Sequence, residues 1–306
     1  MTKGYTRWNS LPEARAGLNA LRASGKTIGS IHSLGALHEG HGKVIQMAAK
    51  ENDCVVVSVY PNAAQLAPGS VYQYDAEADC DFAHKFGATH LICPDTSEMY
   101  PPEYRTFFDQ GEYYKRLDGT VVPYLFRGMI TMSTRWIIFT RPTRTYWGLK
   151  DIGQTILVNR AVKDLLIDTE VREVPCVRYK SGIAISSRLM NQPEAKILEF
   201  QRVYEALEVG RKAIANGLTN SEKIIKIMHD HLSPSAMKYF SLKYIKIAKP
   251  LDFEEPSEID IPLIMHIVVS DGPKNYFEGH YIRSQSDLIN GPDTIWLDDH
   301  YPPFKE

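Results

Sequence analysis

The chain has 306 residues, 43% of them hydrophobic and 24% charged. This length is enough for two compact domains whose cores need no covalent cross-links. Its formal net charge of −2 at pH 7 gives no electrostatic argument for a nucleic acid or an anionic membrane surface as a partner. Because no apolar run approaches the roughly 20 residues that span a bilayer, and the N-terminus has no signal-peptide core, we expect a cytoplasmic protein.

The first part of the chain alternates between helical and strand-like patterns. Apolar residues at helical spacing predict helices, and β-branched runs such as DCVVVSVY at 53–60 predict parallel strands covered on both faces. The predicted order is helix 11–22, strand 26–33, helix 42–51, strand 53–60, loop 61–74, helix 76–86, strand 89–93, helix 129–139, strand 144–147, helix 151–165 and strand 170–177. Because parallel strands need covering crossovers, this alternation predicts an α/β fold with a doubly wound parallel sheet.

The pattern changes after about residue 185. Two helical patterns, at 194–216 and 221–231, come before strand-like runs at 242–248, 263–270 and 276–283. A turn sequence, DGPKN, joins the last two runs and predicts a hairpin. We therefore expect a smaller α+β domain at 181–306 after a first domain at 1–180, and the segment 290–306 receives no assignment.

The four cysteines are scattered along the chain without CxxC spacing, at Cys54, Cys80, Cys93 and Cys176. Cys54 and Cys93 lie in apolar runs, as is typical of buried thiols. The sequence therefore favours free thiols in a reducing compartment, and a disulfide or a zinc site is the alternative.

A loop rich in glycine, GALHEGHG at 35–42, separates the first predicted strand from the helix behind it. Backbone N–H groups and the positive end of a helix dipole converge at such a junction, which suits it to binding phosphate. His38 and His41 are compatible with phosphate binding, with an incidental or helix-capping pair, and with a metal site whose third ligand cannot be located. A Walker A loop is excluded, because Gly25-Lys26-Thr27 has Ala20 where the motif requires glycine.

This loop resembles the GALHEGH of the pantothenate synthetases, the pantoate–β-alanine ligases of the HIGH-loop nucleotidyltransferase superfamily. Four more landmarks, similar to the family's VNPxQF, HFRGV, FGEKDxQQ and ALSSRN, follow in the family's order: Asn62 with Gln65, Phe126-Arg127-Gly128, Gly148 with Lys150, Asp151 and Gln154, and Ala184 to Arg188. The resemblance covers about residues 28 to 192 well and the C-terminal part loosely. It implies a Rossmann-like first domain, an α+β domain that closes over the site, and a homodimer.

The activity that the resemblance implies is an ATP-dependent, amide-forming ligation. A small hydroxy acid, pantoate or an analogue, is first adenylated with loss of pyrophosphate. An amine, β-alanine or another amino acid, then displaces AMP. Such a site must place positive charge and N–H donors in advance, because an anionic carboxylate has to approach an anionic triphosphate.

The resemblance also implies a role for each matching residue. ATP would contact Leu34, Gly35, His38, His41, Gly148, Lys150, Asp151, Val177, Ser186, Ser187 and Arg188. Within this set, the catalytic residues would be His38, His41, Lys150, Ser186, Ser187 and Arg188, with Asp151 and Gly148 at the ribose and the Val177 backbone at the adenine. The acid would be held by Gln65 and Gln154, supported by Asn62. Mg²⁺ would be held by Asp79, although Glu77 and Asp81 lie close enough to leave the choice open.

The sequence also departs from the family pattern around the substrates. His32-Ser33-Leu34 replaces the family's Pro-Thr-Met, and His32 is either a strand-end histidine or an additional polar contact to the acid. The segments 69–75 and 122–126 lose charged residues of the family, and Leu149 and Gly153 replace a glutamate and a glutamine. These departures motivate the hypothesis that the acid differs from pantoate.

Two other functions remain open from the sequence. One is a nucleotidyltransferase that transfers AMP or CMP and forms no amide, because it would share the HxGH loop. The other is a binding or regulatory protein without catalytic activity. The nucleotidyltransferase would keep the nucleotide in its product, whereas the ligase releases free AMP. The binding protein would release no pyrophosphate.

Overall fold

The structure is a computed structural model, and it describes residues 4–66, 69, 72–190 and 192–298. The chain forms two compact units. The first comprises Met1–Tyr114, Val122–Gly148 and Gln154–Val174, and the second comprises Lys115–Val121, Leu149–Gly153 and Pro175–Glu306. The division into domains at residues 180 and 181 stays a prediction.

The first unit is built on a six-stranded parallel sheet. Its elements are β1 Thr6–Trp8, α1 Leu11–Ala23, β2 Ile28–Ser33, α2 Glu39–Glu51, β3 Cys54–Val59, α3 Ala76–Lys85, β4 His90–Ile92, α4 Thr96–Met99, α5 Pro123–Thr140, β5 Arg144–Gly148, α6 Ile152–Asp164 and β6 Glu170–Val174. The strand order in the sheet is β1-β4-β3-β2-β5-β6. Apolar side chains of α1 and α5, among them Leu18 and Trp136, pack with Ile28 and Val56 of the central strands in one core. The predicted doubly wound, Rossmann-like sheet is confirmed.

The second unit contains the smaller α+β arrangement that the sequence predicts. Its elements are β7 Cys176–Arg178, α7 Glu194–Ala215, α8 Ser221–Leu232, β8 Ser241–Ala248, β9 Leu263–Ser270, β10 Asn275–Ile282, α9 Gln285–Asn290 and β11 Thr294–Trp296. Strands β10, β9 and β8 form an antiparallel sheet, and β9 is buried along its whole length. Side chains of α7 and α8, including Leu207 and Met228, pack with Met265 and Ile267 of β9 in a second core.

Some element boundaries differ from the prediction for identifiable reasons. The predicted strand 170–177 was wrong as a single element, because Pro175 has no N–H group to continue a ladder. Strand β6 ends before it in the large sheet, whereas β7 pairs in parallel with β11 in a separate two-stranded sheet. Helix α5 begins at Pro123, earlier than predicted, with proline in its first turn. The strand β1, only three residues long, was missed because it is too short to show a period.

Three other expectations concern the chain as a whole. All four cysteines are free, as predicted. Within the part of the chain that the structure describes, no helix is long and apolar enough to cross a membrane. Of the unassigned segment 290–306, residues 294–296 form β11 and residues 299–306 lie outside the described residues.

Candidate active site

The loop between β2 and α2 is held by a carboxylate from α3. Asp79 Oδ2 accepts the backbone N–H of Ala36 at 2.8 Å, and Oδ1 accepts that of Leu37 at 2.7 Å. Gly35 and Ala36 have φ angles of 104° and 52°, and residues in this region can turn successive N–H groups toward one anion. Asp79 is only 5% exposed, and this burial raises the pKa of its carboxyl above the ordinary value, although the two N–H groups act in the opposite direction. The N–H groups of residues 36 and 37 therefore bind an internal anion.

Gly35 is needed in this loop for both its backbone angle and its lack of a side chain. A Cβ atom there would lie 2.8 Å from the side chain of Tyr74 and 2.9 Å from Asp79 Oδ2. The hydroxyl of Tyr72 donates to the carbonyl of Gly35 at 3.0 Å. The shape of the loop is thus fixed on both sides, by the residue type at 35 and by contacts from the chain that follows β3.

His38 and His41 lie together at the N-terminus of α2. His38 is the N-cap residue, and its backbone N–H donates to His41 Nδ1 at 3.2 Å. The ring centroids are 4.0 Å apart. Because Nδ1 of His41 accepts this bond, the neutral ring carries its proton on Nε2. This geometry agrees with the helix-capping interpretation. It is also compatible with phosphate binding by His41, which would use Nε2.

Asn62 is the N-cap residue of the short 3₁₀ helix Ala63–Gln65 after β3, and Gln65 is its last residue. Asn62 is fully buried, and its Nδ2 group donates to Gln65 Oε1 at 2.7 Å and to the carbonyl of Gly128 at 3.0 Å. A Cβ atom at Gly128 would lie 2.0 Å from the carbonyl oxygen of Ala64. The glycine of the Phe126-Arg127-Gly128 landmark therefore lets α5 approach this turn closely.

His32 and Gln154 are the other two residues predicted to contact the acid. His32 Nδ1 lies 2.9 Å from the hydroxyl of Ser58, and the imidazole stacks on Trp136 with 5.7 Å between ring centroids. Its Nε2 atom is buried and has no hydrogen-bond partner among the described residues. Burial lowers the pKa of His32 to about 3, so the ring is neutral at physiological pH. Gln154 is half-buried in the first turn of α6.

Lys150 and Asp151 form an ion pair at the start of α6. Lys150 Nζ lies 3.1 Å from Asp151 Oδ1, and both residues belong to the 3₁₀ helix Leu149–Asp151. The carbonyl of Gly148, which precedes this helix, accepts the hydroxyl of Thr155 at 3.1 Å. The Asp151 side chain is 41% exposed and that of Lys150 is 20% exposed, so both groups lie close to solvent.

Val177 lies in β7 beside a buried ion pair that the sequence analysis did not identify. Its carbonyl accepts the N–H of Ile185 at 3.1 Å. The neighbouring Arg178 is 1% exposed and donates to Glu278 Oε1 at 2.8 Å. Desolvation raises the pKa of Glu278, but the charge of Arg178 outweighs it and holds the pKa below its ordinary value. The pair thereby joins β7 to β10, and nothing in the local sequence pattern distinguishes Glu278 from a surface residue.

Ser186, Ser187 and Arg188 lie in the turn that follows β7. The hydroxyl of Ser186 accepts the backbone N–H of Arg188 at 3.3 Å, and Ser187 is exposed. The guanidinium carbon of Arg188 lies 5.1 Å from the ring centroid of Phe277 on β10. This cation–π contact gives the long side chain a preferred direction.

The acidic residues on α3 do not fit a magnesium site built by the protein. Both carboxylate oxygens of Asp79 accept backbone N–H groups, and Asp81 Oδ1 accepts the hydroxyl of Tyr5 at 2.6 Å. Among the described residues, no group of three His, Cys, Asp or Glu side chains could hold a metal ion. The role of Asp79 as a magnesium ligand stays a prediction, and its geometry favours a structural role in the loop.

The predicted site residues divide between the two units. The first unit contains His32, Leu34, Gly35, His38, His41, Asn62, Gln65, Asp79, Gly148 and Gln154, and the second contains Lys150, Asp151, Val177, Ser186, Ser187 and Arg188. Within the units, hydrogen bonds join His38 to His41, Asn62 to Gln65, Lys150 to Asp151 and Ser186 to Arg188. The role of each residue toward a substrate stays a prediction.

Comparison with known proteins decides the family. The family model described as Pantoate-beta-alanine ligase matches residues 7–272. This chain belongs to the pantoate–β-alanine ligase family. It is 33% identical over 250 residues to the pantothenate synthetase of Thermotoga petrophila, a match that covers 81% of this chain and 89% of the relative. The pantothenate synthetase of Bacillus velezensis is 35% identical over 212 residues, covering 68% and 74% of the two chains.

Solved structures of the family have the same fold. The pantothenate synthetase of Thermus thermophilus superposes with a TM-score of 0.83 at 27% identity, covering 91% of this chain and all of that one. The ligase of Francisella tularensis, solved in complex with β-γ ATP and β-alanine, superposes with a TM-score of 0.72 at 23% identity, covering 90% of this chain and 97% of that one. The predicted family and the predicted ligase class are confirmed, and the nucleotidyltransferase alternative receives no support.

Proposed function

We propose that this member of the pantoate–β-alanine ligase family joins pantoate to β-alanine and consumes ATP, with release of AMP and pyrophosphate. The observation that carries the proposal is the pair His38 and His41 at the N-terminus of α2, behind a loop whose shape Asp79 fixes. Its curated relatives are pantothenate synthetases, and the Francisella tularensis ligase was solved with β-γ ATP and β-alanine bound.

The reaction has two steps, each of which leaves the protein unmodified. A carboxylate oxygen of the acid attacks the α-phosphorus of ATP, and the bond to pyrophosphate breaks. The amine then attacks the acyl carbon of the adenylate, the bond to the AMP oxygen breaks, and the amine loses a proton. Charge accumulates at the α-phosphate in the first step, and donors fixed in advance stabilise it without reorganisation.

The residues proposed for this charge are His38, His41, Lys150 and Arg188, with hydrogen bonds from Ser186 and Ser187. His41 suits the role because its Nδ1 accepts the N–H of His38, so the neutral ring carries its proton on Nε2, where the imidazole is a donor. The nucleotide is further held by Leu34, Gly35, Gly148, Asp151 and Val177.

The residues proposed for the acid are Gln65, Gln154, Asn62 and His32. Magnesium is proposed to arrive on the phosphates of ATP and to keep several waters, as is usual for this ion, so that the chain contributes few ligands. A cytoplasmic location and a homodimer are also proposed, from the reducing cysteine pattern and from the family resemblance, and sedimentation of the purified protein tests the dimer.

The test is a product assay with the purified protein, ATP, Mg²⁺, β-alanine and a panel of hydroxy acids that includes pantoate. We expect pyrophosphate, free AMP and pantothenate in equal amounts. Turnover with another acid but not with pantoate would support the hypothesis of an altered substrate. A product that keeps the nucleotide would instead indicate a nucleotidyltransferase, and no pyrophosphate with any acid would indicate a binding protein.

A further inference from the structure

The side-chain amide of Asn62 has only one orientation that satisfies its neighbours. Its Oδ1 atom accepts the backbone N–H of Ala64 at 3.3 Å, and its Nδ2 atom faces the carbonyl oxygen of Gly128 at 3.0 Å. A backbone N–H can only donate and a carbonyl can only accept. Rotating the amide by 180° would set oxygen against oxygen and nitrogen against N–H, and Asn62 is fully buried, so no water could compensate.

The orientation of Asn62 determines that of Gln65. The second donor position of Asn62 Nδ2 lies 2.7 Å from the Gln65 side chain, so the atom of Gln65 at this position has to be the acceptor, Oε1. The NH₂ group of Gln65 then points away from Asn62. The orientation of Asn62 thus determines which end of the Gln65 amide faces away from it, and that end is the NH₂ donor.

Tyr100 completes this arrangement from the other side. Its hydroxyl donates to Asn62 Oδ1 at 2.7 Å. Burial raises the pKa of Tyr100, so the hydroxyl keeps its proton and remains a donor. The Tyr100 ring is itself fixed by an edge contact with Tyr104, with 5.0 Å between the ring centroids. The guanidinium carbon of Arg135 lies 5.3 Å from the centroid of the Tyr100 ring. Every hydrogen-bonding position of the Asn62 amide is therefore occupied.

We propose that Tyr100 is a positioning residue for the acid substrate, acting through Asn62 to hold the Gln65 amide with its NH₂ group, and not its oxygen, on the side that faces away from Asn62. The inference rests on the proposed function for the identity of the substrate. A Gln65 amide held in this orientation selects acids with a hydrogen-bond acceptor opposite its NH₂ group, such as a carboxylate oxygen or a hydroxyl oxygen with a free lone pair. A substrate group that can only donate would be rejected there, because the amide cannot turn without breaking the bonds of Asn62.

The matched pair of variants for the test is Tyr100→Phe and Tyr104→Phe. Both remove one phenol hydroxyl from the same aromatic cluster, but the hydroxyl of Tyr104 is buried without a hydrogen-bond partner among the described residues. For Tyr100→Phe we expect the KM for the acid to rise about tenfold while the KM for ATP and kcat change less than about twofold, because one buried hydrogen bond is lost. For Tyr104→Phe we expect all three parameters to stay within about twofold of the wild type.

A second measurement does not depend on the substrate. In ¹⁵N-labelled full-length protein, the side-chain amide protons of Asn62 are both bonded and buried, so they exchange slowly with solvent. They are assigned by their loss in Asn62→Asp. We expect Tyr100→Phe to accelerate their exchange at least about tenfold, because the amide loses one of its four bonds, and Tyr104→Phe to leave the exchange unchanged.

Three outcomes would overturn the proposal. One is an unchanged KM for the acid in Tyr100→Phe. Another is an equal rise in the KM for the acid and the KM for ATP, which a merely structural role would produce. The third is unchanged exchange of the Asn62 amide. If the wild type shows no turnover of pantoate, the proposed function fails, and the exchange measurement still decides whether Tyr100 orients Asn62.

Discussion

The carboxylate of Asp79 accepts the backbone N–H of Leu37 at 2.7 Å, and it thereby fills the anion-binding geometry of the loop before any substrate arrives. A phosphate competing for the same N–H groups would have to displace a buried carboxylate. We therefore expect side chains, among them those of His38 and His41, to bind the triphosphate, whereas the backbone of residues 36 and 37 fixes the start of α2.

Asp79→Asn tests this structural role. The amide keeps one acceptor but turns an NH₂ group toward a backbone N–H, so we expect the free energy of unfolding to fall by about 1–3 kcal/mol. Lys85→Gln, at an exposed position on the same helix, is the control and should change it by less than about 0.5 kcal/mol. Urea denaturation measures both. Wild-type stability of Asp79→Asn together with a higher Mg²⁺ requirement would instead support the magnesium-ligand prediction.

The strand–loop–helix unit at 28–51 could be predicted from sequence, because its apolar runs and glycines are local signals. The contact that fixes it could not. Asp79 is 43 residues away from Ala36 along the chain, and on α3 it looks like part of a solvated acidic face. Tyr100 is similarly 38 residues from Asn62. Periodicity and motifs report neighbours along the chain, whereas these hydrogen bonds depend on how strands and helices pack.

The break at Pro175 illustrates a second limit of the sequence. Val174 and Val177 are both apolar, so the run continues through the proline, and only the pairing partner of each part reveals two strands. That partner, β11, lies more than a hundred residues later, in a segment with no motif. Family resemblance gave the order of the landmarks correctly, but it could not indicate that the segments around them belong to different sheets.

Gly128→Ala tests the close approach of α5 to the turn that carries Gln65. The added Cβ would lie 2.0 Å from the carbonyl oxygen of Ala64, so the helix or the turn has to move. We expect a loss of about 1–3 kcal/mol in the free energy of unfolding, together with a higher KM for the acid. Ile138→Ala, on an exposed position of the same helix, should leave the KM for the acid unchanged. An unaltered KM in Gly128→Ala would contradict a link between this contact and acid binding.

His32 predicts a pH dependence of stability. Burial lowers its pKa to about 3 in the folded protein from 6.5 in the unfolded chain, so the unfolded state binds a proton first as the pH falls. The contribution of neutral His32 to the free energy of unfolding is fully present above pH 6.5. It is lost as the pH falls from 6.5 toward 3, by about 1.4 kcal/mol per pH unit.

His32→Gln lacks this titration and isolates it from the carboxylates that protonate in the same range. The difference in the free energy of unfolding between wild type and His32→Gln should therefore fall by about 1 kcal/mol per unit between pH 6 and pH 4.5. Denaturant unfolding at four pH values measures it. A constant difference over that range would mean that the imidazole is solvated and able to take up a proton in the folded state.

His41 has one observed contact and one proposed role, and substitution can separate them. It accepts the N–H of His38 and so caps α2, and its imidazole is proposed to stabilise charge at the α-phosphate. His41→Ala removes both, so we expect the rate of pyrophosphate release to fall about 100-fold and the stability to fall by about 0.5–2 kcal/mol. Glutamine at this helix position can still accept the N–H of residue 38 but has no imidazole. His41→Gln should therefore keep the stability of the wild type and lose the rate of pyrophosphate release. The control Lys50→Ala, at an exposed position of the same helix, should keep the stability and the rate. Near-wild-type turnover by His41→Gln would show that the histidine acts only as a cap and would leave His38, Lys150 and Arg188 to stabilise the phosphate.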